Sequence, residues 1–172
     1  DLMVEKPIAQ SVEKAAEMVA AAKAAGRILQ VGHIERFNGA VRALFDAVRQ
    51  PRFIECHRLS PYPSRGDEVS VVLDLMIHDL EVILHLVRAP LKEFHACGVP
   101  VLSGSEDIAN VRLLFENGCV ANVTASRVSL DKIRKIRVFQ PDTYLSLDYQ
   151  NQSGRLIRRE NGRIIPTDVP ID

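Results

Sequence analysis

The chain has no excess charge of either sign: lysine plus arginine and aspartate plus glutamate each number 22 among 172 residues. That balance argues against a dedicated nucleic-acid or anionic-membrane binder, which would carry a broad field of one sign. The local run DKIRKIR at 131–137 is basic, and its alternation fits one solvated strand face. Cysteine is scarce. Cys56, Cys97 and Cys119 are odd in number, widely spaced and without a C-x-x-C pattern, so they suggest neither a disulfide framework nor a cysteine-based zinc site. They read instead as small buried hydrophobes. No apolar run is uninterrupted for long enough to span a membrane, and no basic-then-apolar signal segment opens the sequence, so a reducing cytoplasm is the expected setting. No internal repeat is visible. What is present, 47% hydrophobic and 26% charged residues, suits a globular protein with one good core, or one domain plus part of another.

DLMVEKP reads as the end of a strand that Pro7 stops. Because the sequence starts at Asp1 with this strand already under way, a piece of a longer protein is expected. Ser11 is placed to cap a helix over SVEKAAEMVAAAKAA, Gly26 to end it, and RILQVGH to return as a short buried strand. Residues 1–33 thus form a strand, helix, strand unit of α/β type. Asn38 caps a second helix, GAVRALFDAVR, ended by Pro51, and RFIECHRLS is strand-like. The loop PYPSRGDE, with Pro61, Pro63 and Gly66, leads into a long apolar helix that finishes near Ala89 and Pro90. Beyond it the period changes to that of strands, with hairpin turns at Asn117-Gly118 and Asn161-Gly162. The expected fold class is α+β: a predominantly antiparallel sheet with helices on one face, preceded by the last strand, helix, strand of a Rossmann-type domain. The expected division is 1–34 and 35–172. The uncovered sheet face and edges make a homo-oligomeric contact through the sheet an expectation too.

The apolar helix, VVLDLMIHDLEVILHLV at 71–87, keeps Asp74, His78, Glu81 and His85 at steps of four, three and four. That spacing holds them on one helical face, while apolar side chains fill nearly all the remaining circumference, interrupted only by Asp79. Buried ionised groups need partners, so the stripe must face a polar cavity, pair internally or hold a ligand. His78, Glu81 and His85 could ligate one divalent ion across two turns, although no additional ligand cluster accompanies them. For Asp74 and His78 a structural hydrogen bond and catalysis are both open readings. Lys6, at the end of a parallel strand where α/β sheets bind ligands, can equally be a solvated turn residue.

Three patterns occur in order along the chain: Glu5-Lys6-Pro7, the V-G-H-x-x-R-F-N segment from Val31 to Asn38, and D-x-x-x-H on a hydrophobic helix, followed by an antiparallel sheet. In this the chain resembles the glucose-fructose oxidoreductase and inositol dehydrogenase family, Gfo/Idh/MocA, over essentially its whole length. The resemblance implies an NAD(P)-dependent dehydrogenase of a sugar, nucleotide-sugar or cyclitol hydroxyl, with NAD or NADP as cofactor and no metal. It implies that Lys6 hydrogen-bonds the reacting oxygen, His78 exchanges its proton, and Asp74 holds a neighbouring hydroxyl or orients the imidazole. It also implies that Glu5, Lys6, Pro7 and His33 approach the cofactor, often with a cis peptide before the proline. Arg36, Arg58 and Glu81, and more distantly Ser60, would meet substrate. Glu81 stands where the family more often has Asp. HRLSP, LDLMIHDLEVIL and ENGCVANVTASRVS are similar to members that oxidise the 3-hydroxyl of UDP-N-acetylglucosamine. No G-x-G-x-x-G occurs in the chain, so the pyrophosphate cradle would lie elsewhere in the intact protein and this piece would be inactive alone. The alternative is a non-catalytic dimerisation or binding domain that keeps the fold.

Overall fold

The computed structural model describes residues 1–62 and 69–171. Pro63 and Gly66, assigned above to a turn, lie outside them. The chain forms two compact units, Asp1–Ile34 and Glu35–Asp172.

In the first unit, β1 (Leu2–Val4) pairs in parallel with β2 (Leu29–Val31), joined by α1 (Val12–Ala24). Ser11 caps α1 as its spacing demands, its side chain accepting from the Lys14 N–H at 3.3 Å. Gly26, at φ +62°, takes the left-handed turn after the helix that a side chain resists. The Lys6–Pro7 peptide is cis.

The second unit places α2 (Gly39–Ala47) and α3 (Ile77–Val87) with a mostly antiparallel sheet of β3 (Phe53–Leu59), β4 (Leu91–Val99), β5 (Ile108–Phe115), β6 (Val120–Ser126), β7 (Ile133–Gln140), β8 (Thr143–Asp148), β9 (Ser153–Glu160) and β10 (Arg163–Asp168). The Asn38 side chain caps α2, accepting from the Ala40 N–H at 3.0 Å. The strand order is β10-β9-β8-β7-β3-β6-β5-β4. Each β5, β6, β7 and β8 alternates buried with partly or fully exposed residues, the pattern of a sheet with one covered face. Buried Val82, Ile83 and Leu86 of α3 belong to the same core as Ala121, Val123 and Ala125 of β6, whose small side chains leave room for a helix.

The fold has three features that local spacing does not show. β6 and β7 follow one another in the chain but are not neighbours, because β3 lies between them, parallel to β6 and antiparallel to β7. A parallel pairing needs a long crossover, and α3, β4 and β5 supply it. The apolar helix is not α-helical from its start: Val72–Met76 is a π-turn, in which the Ile77 N–H reaches back five residues to the Val72 carbonyl. Cys56 and Cys119 are buried as expected, but Cys97 is exposed, since β4 is an edge strand with all nine residues exposed.

A buried ion pair fixes the approach to the π-turn. Arg127 Nε donates to Asp107 Oδ1 at 2.7 Å, and another of its nitrogens donates to the Val69 carbonyl. The other Asp107 oxygen accepts from the N–H groups of Val101, Leu102 and Ser103 at 2.6 to 2.9 Å. Burial alone would raise the Asp107 carboxyl, but Arg127 and these three backbone donors hold it well below the usual carboxylate range. A carboxylate lowered in the folded state stabilises fully above its unfolded value of about 3.9 and loses that contribution as pH falls toward the lower folded value. Asp107→Asn is therefore expected to lower the thermal midpoint at neutral pH and to flatten its decline between about pH 5 and pH 2. Thermal unfolding across that range checks this, and parallel curves for the two proteins would contradict it.

Candidate active site

Glu5, Lys6, Pro7 and His33 belong to the first unit. Lys6 and Pro7 are half-buried and follow β1 directly. Gly32 is buried so close to the Glu5 carboxyl that an added Cβ would sit 3.1 Å from its oxygen. His33 is half-buried, and its buried Nδ1 has no hydrogen-bond partner among the described residues.

Asp74, His78, Glu81, His85, Arg36 and Arg58 belong to the second unit. Asp74 lies within the π-turn and His78 in the first turn of α3, both half-buried. Glu81, one turn beyond His78, accepts from Arg36 Nε at 2.6 Å through Oε1. Its buried Oε2 has no hydrogen-bond partner among the described residues. The His85 ring packs against Phe45, with centroids 4.6 Å apart. Along the polar stripe, Asp74 and His78 lie at the start of the helix, and Glu81 and His85, one and two turns further on, meet Arg36 and Phe45. With Glu81 held by Arg36 and His85 against Phe45, the metal triad considered from spacing does not assemble, and no group of three His, Cys, Asp or Glu able to hold a metal occurs among the described residues.

Arg58, expected to meet substrate, instead faces the core, at 2% exposure. It forms a fork on buried Asp79, with Nε donating to Oδ2 at 2.7 Å and Nη2 to Oδ1 at 2.8 Å, while Nη1 donates to Glu35 at 3.2 Å. Burial would lower the guanidinium, but the hydrogen-bonded Asp79 carboxylate carries it above its ordinary value, so it stays charged. Burial, then the charge of Asp79, push the neighbouring Cys56 thiol well up, so this thiol is not a nucleophile. Ser60 is tied through its backbone to Ser126 and Ser129. Sequence reasoning missed the roles of Asp79 and Glu35, although two signals were available. Asp79 is the single charge on the apolar side of the helix, and a period of two along β3 puts Arg58 on the same face as Ile54 and Cys56.

Comparison with known proteins identifies the family. The pattern of the GFO/IDH/MocA C-terminal domain matches residues 15–140. A UDP-N-acetylglucosamine 3-dehydrogenase of Acidithiobacillus ferrooxidans is 34% identical over 163 residues, covering 94% of this chain and 52% of that protein. A solved structure of that dehydrogenase superposes with a TM-score of 0.92 at 32% identity, over 99% of this chain and 56% of the other. An inositol 2-dehydrogenase of Mycolicibacterium smegmatis is 29% identical over 101 residues, 55% of this chain and 29% of that enzyme. A solved NAD-binding protein of Listeria innocua, at 17% identity and a TM-score of 0.86, shares the fold. The chain spans about half the length of the first of these curated relatives. On the family pattern and this similarity, the chain belongs to the Gfo/Idh/MocA family of oxidoreductases.

Proposed function

We propose that this chain is the substrate-domain portion of an NAD(P)-dependent dehydrogenase that oxidises a hydroxyl of a sugar or nucleotide sugar, with the 3-hydroxyl of UDP-N-acetylglucosamine as the substrate to test first. The observation that carries the reading is the start of the stripe: a carboxylate and an imidazole one turn apart, half-buried on a helix whose other faces are apolar except at Asp79. Its likeness to the Acidithiobacillus enzyme supports the choice of substrate class.

Oxidation of a secondary alcohol removes a hydride from carbon and a proton from oxygen, and the two must leave by different routes. Nicotinamide, when bound, supplies the hydride acceptor. His78 takes the hydroxyl proton, a task for which an imidazole is chemically suited. Lys6 donates to the same oxygen and stabilises its developing negative charge. Asp74 and the second carboxylate oxygen of Glu81, Oε2, accept from neighbouring hydroxyls of the substrate, while Arg36 holds Glu81 in place through Oε1. The buried Nδ1 of His33 and the tight passage of Glu5 past Gly32 fit the nicotinamide end of the cofactor; the phosphates need a glycine-rich cradle that this chain lacks. The partly exposed face of the sheet supports self-association of the intact protein through that face.

The test is nicotinamide reduction by the intact protein with UDP-N-acetylglucosamine, free sugars and cyclitols, repeated with Lys6→Met. This substitution keeps the side chain's length while removing its charge, and it is expected to lower kcat by about 10²-fold or more, the scale of one lost donor at a developing oxyanion. Full activity in Lys6→Met would remove Lys6 from the reaction.

A further inference from the structure

The residue after the proposed base is held by a two-pronged ion pair. Asp79 is 1% exposed and receives both prongs of Arg58 from β3. Glu81 is held by Arg36, and the residue preceding Arg36, Glu35, takes the third bond of Arg58. Two consecutive residues of one short turn, Ile34–Phe37, and two residues of α3 thus close a ring through Arg58. Around a helix advancing by about 100° per residue, Asp79 lies about 100° to one side of His78 and Glu81 about 60° to the other. A rotation of α3 in either sense strains one of these contacts.

Resting on the catalytic reading of His78 above, we propose that Arg58 is a positioning residue: its fork on Asp79, continued through Glu35 and Arg36 to Glu81, fixes the angle of α3 about its own axis and so the position of the His78 imidazole. Apolar packing by Val82, Ile83 and Leu86 holds α3 against the sheet without a preferred direction, whereas a planar guanidinium on a carboxylate has one. The distances make the effect large. With Cα atoms about 2.3 Å from the helix axis and the imidazole extending beyond them, a rotation of about 10° displaces the ring by about 1 Å. A displacement of about 1 Å in a reacting group can lower rate by about 10²-fold.

The test uses the intact enzyme with two variants. Arg58→Met combined with Asp79→Leu removes both charges together and leaves an apolar contact of similar bulk, so the fold is expected to persist with a thermal midpoint near that of the parent. In this pair kcat is expected to fall about 10- to 100-fold with KM within about threefold. Its His78 Hε1 proton resonance is expected to broaden or split as the ring samples several positions. Arg58→Lys keeps one charged hydrogen bond but loses the fork, and is expected to lower kcat about 10-fold; it decides the matter alone if the pair does not fold. Unchanged kcat in the folded variants, or a KM rise that accounts for the whole loss, would overturn the clamp. His78→Ala separates the two levels of inference: if it abolishes turnover while the Arg58 variants keep theirs, only the clamp is wrong, and if it too is fully active, the reading and the clamp fall together.

Discussion

Replacing His78 by alanine in the intact enzyme is expected to lower kcat by about 10²- to 10⁴-fold, the usual contribution of a positioned acid or base, and to leave the affinity for the nicotinamide cofactor near that of the parent. Both halves follow from where the residue is. His78 sits in the first turn of α3, half-buried beside Asp74 and Glu81, on a helix whose inner side is occupied by core residues. Removing the imidazole takes away a proton acceptor without disturbing that inner side. Steady-state kinetics together with cofactor titration separate the outcomes: a parallel loss of cofactor affinity would assign His78 to binding, and unchanged kcat would remove it from proton transfer.

The largest expected effect on stability is that of Asp79→Ala. The substitution leaves the Arg58 guanidinium at 2% exposure with only Glu35 to face it, and breaking one side of a buried pair costs about 3–5 kcal/mol. Against a typical stability of about 5–15 kcal/mol, that is about a fifth of the total or more. The urea midpoint should shift accordingly, and far less in the variant that removes both charges at once. A shift below about 1 kcal/mol would place the ion pair among surface contacts of little consequence.

Much of this architecture is written locally in the sequence. Ser11 and Asn38 cap the helices they precede because their short side chains reach N–H groups that the first turn leaves open. Asn161 and Gly162 make the expected hairpin turn with φ of 50° and 78°. The features that escaped are non-local. β3 lies at the centre of the sheet because it finds β6 and β7, both distant in sequence, and no period along β3 names its neighbours. Exposure of Cys97 follows from the edge position of β4, a property of the finished sheet. The π-turn is invisible to spacing, since one bond reaching five residues back does not disturb a four-three-four count. At the site the stripe was legible as a stripe, but its contacts were not: the partners of Glu81 and His85, Arg36 and Phe45, are about 40 residues away in sequence. The family resemblance implied a substrate contact for Arg58, whereas in the fold it is 2% exposed. Its carboxylate partner, the residue beside the proposed base, explains why it is here.

The most direct test follows the hydride itself. UDP-N-acetylglucosamine carrying deuterium at the carbon that bears the 3-hydroxyl, incubated with the intact protein and oxidised nicotinamide cofactor, is expected to deliver that deuterium to the nicotinamide ring and to leave a 3-keto sugar. Absence of transfer from this substrate and from a panel of labelled sugars and cyclitols, with the protein folded and the cofactor bound, would contradict the assignment of this chain to a sugar dehydrogenase.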